Sequence, residues 1–192
     1  MQNRPINSRA ALFLDRDGVI IRDAGFLGRP AGVALLPGAR TALRRAQQTH
    51  RLFLLTNQSG IGRGYFSWRD VEAVHVRLQA LLHLPPPGIE QIAVAAEQPW
   101  EVPVYRKPSP RFLLEAIAWE GLDPEQCWMV GDRLDDVRTG LRAGIRAALI
   151  AAVPVTDKQT RDYCRQHRVP AYASLRAFVA DLFTESKKGH SL

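Results

Sequence analysis

Phe13-Leu14-Asp15-Arg16-Asp17-Gly18-Val19 is the stretch on which the reading of this chain turns. An apolar run over residues 10–14 stops at Asp15. Such a run reads as a buried strand, here with a carboxylate at its C-terminal end. Asp17-Gly18 then turns the chain outward.

The same pattern recurs along the chain. Residues 52–55 read as a second strand ending in Thr56-Asn57, residues 89–96 as a third, residues 127–130 as a fourth ending in Gly131-Asp132, and residues 147–151 as a fifth. Between them, helical spacing of apolar residues predicts helices over 37–49, 67–84, 109–120 and 135–143. Ser67 suits the N-cap of the second, and Pro85-Pro86-Pro87-Gly88 ends it. Two more helices are expected near 157–167 and 175–183. The stretch 25–38, rich in Gly and Pro, reads as an irregular loop or short flap. Strands alternating with helices predict an α/β fold with a mainly parallel sheet, a Rossmann-like three-layer sandwich, in one domain over 1–192. Ligands are then expected beyond the carboxyl ends of the strands.

Four of those places carry reactive groups: Asp15 and Asp17, Thr56, Lys107 past the third strand, and Asp132 followed by Asp135 and Asp136. A single Asp after a strand is most often a turn former or helix cap. Four such places in order are harder to assign to turns alone.

Composition narrows the setting. The chain has 192 residues, 46% apolar and 23% charged, ordinary for a globular protein. The longest apolar run, 147–153, is far below the roughly 20 residues of a membrane span. The start, Met1-Gln2-Asn3-Arg4-Pro5, does not resemble a signal peptide, so a cytoplasmic protein is expected. Two cysteines, Cys127 and Cys164, read as reduced thiols. The net charge is +7, but the arginines form no arm or dense block. An ordinary solvated basic surface is expected, with electrostatic help in collecting phosphorylated substrates as an addition, rather than a nucleic-acid or membrane partner. No coiled-coil pattern appears, and a monomer is expected.

Leu14-Asp15-Arg16-Asp17-Gly18-Val19, Leu55-Thr56-Asn57, Lys107-Pro108 and Val130-Gly131-Asp132 with Asp136 resemble the four ordered motifs of the haloacid dehalogenase (HAD) superfamily. The resemblance covers roughly residues 10–150. It implies a capless, Mg²⁺-dependent phosphatase with Asp15 as the nucleophile and Asp17 as general acid and base. Thr56 and Asn57 would meet the phosphoryl oxygens, and Lys107 would supply a fixed positive charge. The implied metal set is Asp15, Asp132, the Asp17 carbonyl, and Asp136 directly or through water. The chemistry agrees, because a phosphate dianion repels a carboxylate nucleophile unless a cation lies between them.

Within the superfamily, Phe13 to Val19, Thr56-Asn57-Gln58-Ser59-Gly60-Ile61-Gly62-Arg63-Gly64-Tyr65-Phe66, Arg106-Lys107-Pro108 and Met129-Val130-Gly131-Asp132 are similar to heptose-1,7-bisphosphate phosphatases and histidinol-phosphate phosphatases. That similarity implies substrate contacts from Asp23, Gly25, Phe26, Thr56, Asn57, Gln58, Ser59, Arg106 and Lys107. It also implies a small phosphorylated metabolite as the partner. One departure stands out. These phosphatases usually carry a Cys/His zinc loop before the Arg-Lys-Pro motif, whereas residues 97–105 contain neither Cys nor His, so no structural zinc is expected. Either the loop is shortened with the substrate retained, or the pocket has changed its substrate. A histidinol phosphate, another small metabolite and a nucleic-acid 3′-phosphate remain alternatives.

Other readings are weaker. Residues 60–64 do not meet the GxGxxG dinucleotide pattern. A receiver domain shares the layout but lacks an Asp-x-Asp pair after its first strand. The five histidines read as surface or helix-packing residues, and the four tryptophans as core or loop anchors.

Overall fold

Six parallel strands form one sheet in the order β3-β2-β1-β4-β5-β6. They are β1 (Ala11–Leu14), β2 (Arg51–Asn57), β3 (Ile89–Ala95), β4 (Cys127–Gly131), β5 (Arg146–Ile150) and β6 (Ala171–Tyr172). The helices are α1 (Ala39–Ala46), α2 (Trp68–Leu82), α3 (Arg111–Glu120), α4 (Leu134–Arg142), α5 (Lys158–Gln166) and α6 (Leu175–Lys188). This computed structural model describes residues 9–151 and 154–188. The stretch 1–5, the last two residues of the apolar run (Ala152 and Val153) and His190 lie outside the described residues.

The period-2 geometry of a strand divides the core. Leu12 and Leu14 face α1, α2 and α6, together with Leu52, Leu54, Val74, Leu78 and Phe178. Ala11 and Phe13 face the opposite side, with Phe53, Phe112, Leu113 and Met129. Val137 of α4 and Cys164 of α5 cover β5 on that second side. The result is the expected three-layer α/β sandwich. β1 is buried along its whole length, which accounts for its uninterrupted apolar sequence.

Chain order reverses at β1, which lies between β2 and β4. Residues at the carboxyl ends of β1 and β4 therefore open onto one crevice. Between β1 and β2 the described residues hold only a short 3₁₀ turn, Pro30–Gly32, and α1; between β2 and β3 they hold only α2. Neither is large enough for a cap domain.

The structure adjusts several expectations. β2 extends through Thr56 and Asn57, so both lie in the strand rather than after it. β6 was not expected; two residues are too few to show a period. α3 begins at Arg111, because Pro108 and Pro110 keep the preceding residues out of a helix. Ser67 does cap α2, in a reciprocal capping box with Asp70. Of the tryptophans only Trp128 is in the core; Trp68, Trp100 and Trp119 are exposed. Cys127 and Cys164 are both buried and free. No helix among the described residues is long and apolar enough to cross a membrane.

Candidate active site

The crevice beyond β1 and β4 is a polar cavity of about 260 Å³. Asp15, Asp17, Asp23, Gly25, Phe26, Thr56, Asn57, Gln58, Ser59, Arg106, Lys107 and Asp136 all line it. Asp132 lines a neighbouring hollow with Gly18 and Val19, but its carboxylate meets those of Asp15 and Asp136, with ligand oxygens within 4.8 Å of one another. Every residue singled out from the sequence is thus brought to one place. Gly60, Arg133 and Asp135 also line the cavity.

Two glycines allow this crowding. Gly18 has φ +76°, and a Cβ there would lie 2.2 Å from Asp132 Oδ2. At Gly131, a Cβ would fall 2.1 Å from the Asp136 Cβ. Any larger residue at either position would push a carboxylate away from the cluster.

Lys107 ties the acids together. Its Nζ lies 2.7 Å from Asp15 Oδ1 and 2.5 Å from Asp136 Oδ1, and all three side chains are buried. Asp136 Oδ2 also accepts the Arg133 N–H at 2.9 Å, at the N-terminus of α4. Burial pushes the Asp15 carboxyl up to about 7, against the pull of Lys107 and with help from Asp136. Burial, then Asp136, pushes Asp132 up to about 6. Burial alone would lower Lys107, but Asp136 and Asp15 outweigh it and hold the ammonium charged well above its ordinary range.

Three carboxylates with one lysine are two positive charges short when all are ionised, and the Oδ1 atom of half-buried Asp132 has no hydrogen-bond partner. Oxygen-only donors in this arrangement suit a hard divalent cation. The Asp17 side chain is not part of that carboxylate cluster.

Asp17 is held instead by Arg16, which sequence reasoning passed over. Arg16 is fully buried. Its Nε donates to Asp17 Oδ2 at 3.0 Å and its Nη2 to Asp17 Oδ1 at 3.3 Å. Its Nη1 lies 3.2 Å from His75 Nε2. Since a guanidinium can only donate, that ring nitrogen accepts. Burial and the Arg16 charge lower the His75 pKa to about 4, so the ring is neutral. The sequence did hold a signal: at helical spacing His75 falls on the same stripe as Val71, Val74 and Leu78.

Gln58 reaches back over the floor, donating to Thr56 Oγ1 at 2.8 Å and to Asp17 Oδ2 at 3.1 Å. The Thr56 hydroxyl accepts that bond and keeps its own proton to donate. Asn57 also lines the cavity. Its carboxamide is engaged at both ends by the Lys107 backbone, accepting N–H at 3.0 Å and donating to C=O at 3.3 Å. Asp23 accepts from the Gly25 N–H at 2.8 Å and from exposed Arg133 at 3.0 Å, so Arg133 closes one side of the cavity.

This geometry has known counterparts. Residues 104–175 match a family model described as HAD-hydrolase-like. The D-glycero-beta-D-manno-heptose-1,7-bisphosphate 7-phosphatase of Helicobacter pylori (strain 26695) is 34% identical over 147 residues, 76% of this chain and 85% of that protein. The D-glycero-D-manno-heptose-1,7-bisphosphate 7-phosphatase of Chlorobaculum tepidum is 34% identical over 178 residues, 85% of this chain and 87% of that one. Among solved structures, a D,D-heptose 1,7-bisphosphate phosphatase from B. bronchiseptica, in complex with magnesium and phosphate, superposes with a TM-score of 0.79 at 26% identity, over 92% of this chain and 99% of the other.

Proposed function

Because this chain belongs to the HAD-like phosphatases, we infer that the cavity hydrolyses a phosphate monoester of a small sugar, with a heptose 1,7-bisphosphate the foremost candidate. The observation that carries the reading is the cluster of buried Asp15 and Asp136 with half-buried Asp132, beside the Lys107 ammonium. The substrate class rests on the named relatives.

In this reading the Asp15 carboxylate attacks phosphorus, and an acyl phosphate forms as the bond to the leaving oxygen breaks. Asp17 protonates that oxygen, then takes a proton from the water that cleaves the acyl phosphate. The two Arg16 bonds keep its carboxyl aimed into the cavity. The Thr56 hydroxyl and Lys107 ammonium face the charge that builds on the transferring group. The Asp15 and Asp132 carboxylates and the Asp17 carbonyl would hold Mg²⁺, with Asp136 behind. Such an ion supplies the positive charge that lets a dianion approach a carboxylate. Arg106, at the outer wall, is suited to a second phosphate, which a guanidinium grips by two parallel bonds.

Phosphate release tests this. The panel would contain both anomers of heptose 1,7-bisphosphate, histidinol phosphate, common sugar phosphates, nucleotides and a 3′-phosphorylated oligonucleotide, with Mg²⁺ present and then chelated. A heptose bisphosphate is expected to lead by about a hundredfold in kcat/KM, about 2.7 kcal/mol of discrimination. Weak, flat activity would keep the chemistry and remove the substrate. No Mg²⁺-dependent release from any compound would remove both.

A further inference from the structure

The segment that joins β3 to Arg106 and Lys107 has no regular secondary structure and no Cys or His to anchor it. One carboxylate gathers it. Glu97 Oε1 accepts the backbone N–H groups of Val104 at 2.8 Å, Tyr105 at 2.8 Å and Arg106 at 3.2 Å. The Glu97 carbonyl in turn accepts Arg106 Nη1 at 3.0 Å. One residue therefore holds Arg106 twice, by its backbone and by its guanidinium. Partial burial raises the Glu97 pKa, but the N–H groups outweigh it and leave the carboxyl below its ordinary range. The neighbouring Gln98 side chain donates to Ser59 C=O at 3.0 Å, which ties the same segment to the loop after β2.

Lys107, one residue on, is fixed by other means. Asn57 brackets its backbone, and Asp15 and Asp136 hold its ammonium. Adjacent residues of one motif thus have separate clamps.

We propose that Glu97 is a positioning residue for Arg106, and through it sets affinity for a second anionic group on the substrate, with no part in the chemistry at Asp15. The kinetic part rests on the phosphatase reading above. The structural part does not.

The test compares Glu97→Ala, Glu97→Gln, Arg106→Ala and the Glu97→Ala/Arg106→Ala pair, with Mg²⁺ present. The two probes are p-nitrophenyl phosphate, which has no second anion, and fructose 1,6-bisphosphate. Glu97→Ala should raise KM for the bisphosphate about tenfold, the order expected for losing charge-assisted hydrogen bonds, while kcat stays within about twofold. Its p-nitrophenyl phosphate kinetics should match wild type. Glu97→Gln keeps an acceptor oxygen and should recover most of the affinity. In the Arg106→Ala background, Glu97→Ala should add nothing further. Equal losses on both probes, or multiplying effects of the two substitutions, would overturn the proposal. Amide hydrogen exchange gives a readout that needs no turnover. The Val104, Tyr105 and Arg106 amides should exchange at least about tenfold faster in Glu97→Ala. Unchanged protection there overturns the clamp even if wild type is an active phosphatase. If wild type turns over neither probe, the kinetic arm is run on the best substrate of the panel above, and if none is turned over the phosphatase reading has failed and the exchange rates alone decide for or against the clamp.

Discussion

The floor of the cavity and its rim are held in different ways. On the floor, Asp15, Lys107 and Asp136 are buried and bind one another side chain to side chain at 2.5–2.7 Å. They stand at or beside the ends of β1 and β4, in the middle of the sheet. At the rim, Phe26, Tyr65 and Trp100 are more than half exposed. Their loops are fixed by side chains that bind backbone, such as Glu97 to residues 104–106 and Asp23 to Gly25. The difference separates two kinds of function. In a buried charge cluster the charge state of each member depends on the others, so its chemistry changes with any one of them. A rim built on backbone contacts can change its side chains and keep its course. On the function proposed above, phosphoryl chemistry would belong to the floor and substrate choice to the rim.

The largest effect should come from the floor. Asp15→Asn removes the proposed nucleophile and should cost at least about 10⁴-fold in kcat on every substrate. Burial already pushes the Asp15 carboxyl toward its neutral form, so a neutral amide should fit. A thermal melt in the absence of metal should show Tm equal to or above wild type. Residual turnover near wild type would remove the covalent route. Asp17→Asn comes next, with a loss of about 10²–10⁴-fold in kcat on sugar phosphates. The p-nitrophenolate leaving group needs little protonation, so p-nitrophenyl phosphate should suffer less in the leaving step. Equal losses on both would point to a role for Asp17 other than proton transfer in that step.

Behind the floor, Arg16 and His75 give a prediction with a defined sign. The folded-state pKa of His75 is about 4, below the ordinary 6.5. The neutral ring is the form the fold accommodates. Its contribution is complete above about pH 6.5 and is lost as pH falls toward about 4, where the unfolded chain has taken a proton that the folded chain refuses. His50, also lowered to about 4 by burial and Arg146, slopes the same way. Asp15 and Asp132, both raised, slope the opposite way, favouring the fold as pH falls below about 7. The whole curve therefore mixes signs, and the difference between two proteins is the cleaner measure. His75→Gln keeps an acceptor for Arg16 and cannot titrate. Denaturant melts from pH 7 to pH 4 should show the variant losing less stability than wild type, by on the order of 2 kcal/mol. Parallel curves would mean that the ring is protonated in the fold.

These two regions were not equally legible in the sequence. The floor could be read because strand-end chemistry leaves marks: an apolar run, then Asp15; an apolar run, then Asp132; a glycine where no Cβ fits. The parallel sheet followed from the same alternation. Arg16 was harder, because an arginine between two motif aspartates reads as surface, and its burial depends on His75, 59 residues away. The rim clamps were harder still. Glu97 binds backbone N–H groups seven to nine residues on. Backbone donors are the same for every residue type, so no pattern of side chains records such a contact. Asn57 is a related case. Its place in a motif gave no sign that its carboxamide brackets the Lys107 backbone, 50 residues on.

The smallest expected effect tests the rim directly. Phe26 lies edge to face with Tyr65 at 4.8 Å and has the Arg63 guanidinium 5.8 Å from its centroid. It lines the cavity while remaining 54% exposed. Phe26→Ala should therefore cost only about 0.5–1 kcal/mol of stability, the worth of one aromatic contact and a weak cation–π pair at an exposed site. On a sugar bisphosphate it should raise KM by roughly threefold, the loss of part of one apolar contact, with kcat unchanged. On p-nitrophenyl phosphate it should change little. The informative quantity is kcat. A fall of tenfold or more would mean that this exposed ring acts on the reacting group, which would place the flap with the floor and erase the division between chemistry and selection. A change confined to KM, largest for the bulkiest substrate, would keep Phe26 on the selecting side and mark 23–28 as the segment to alter when the substrate is to be changed.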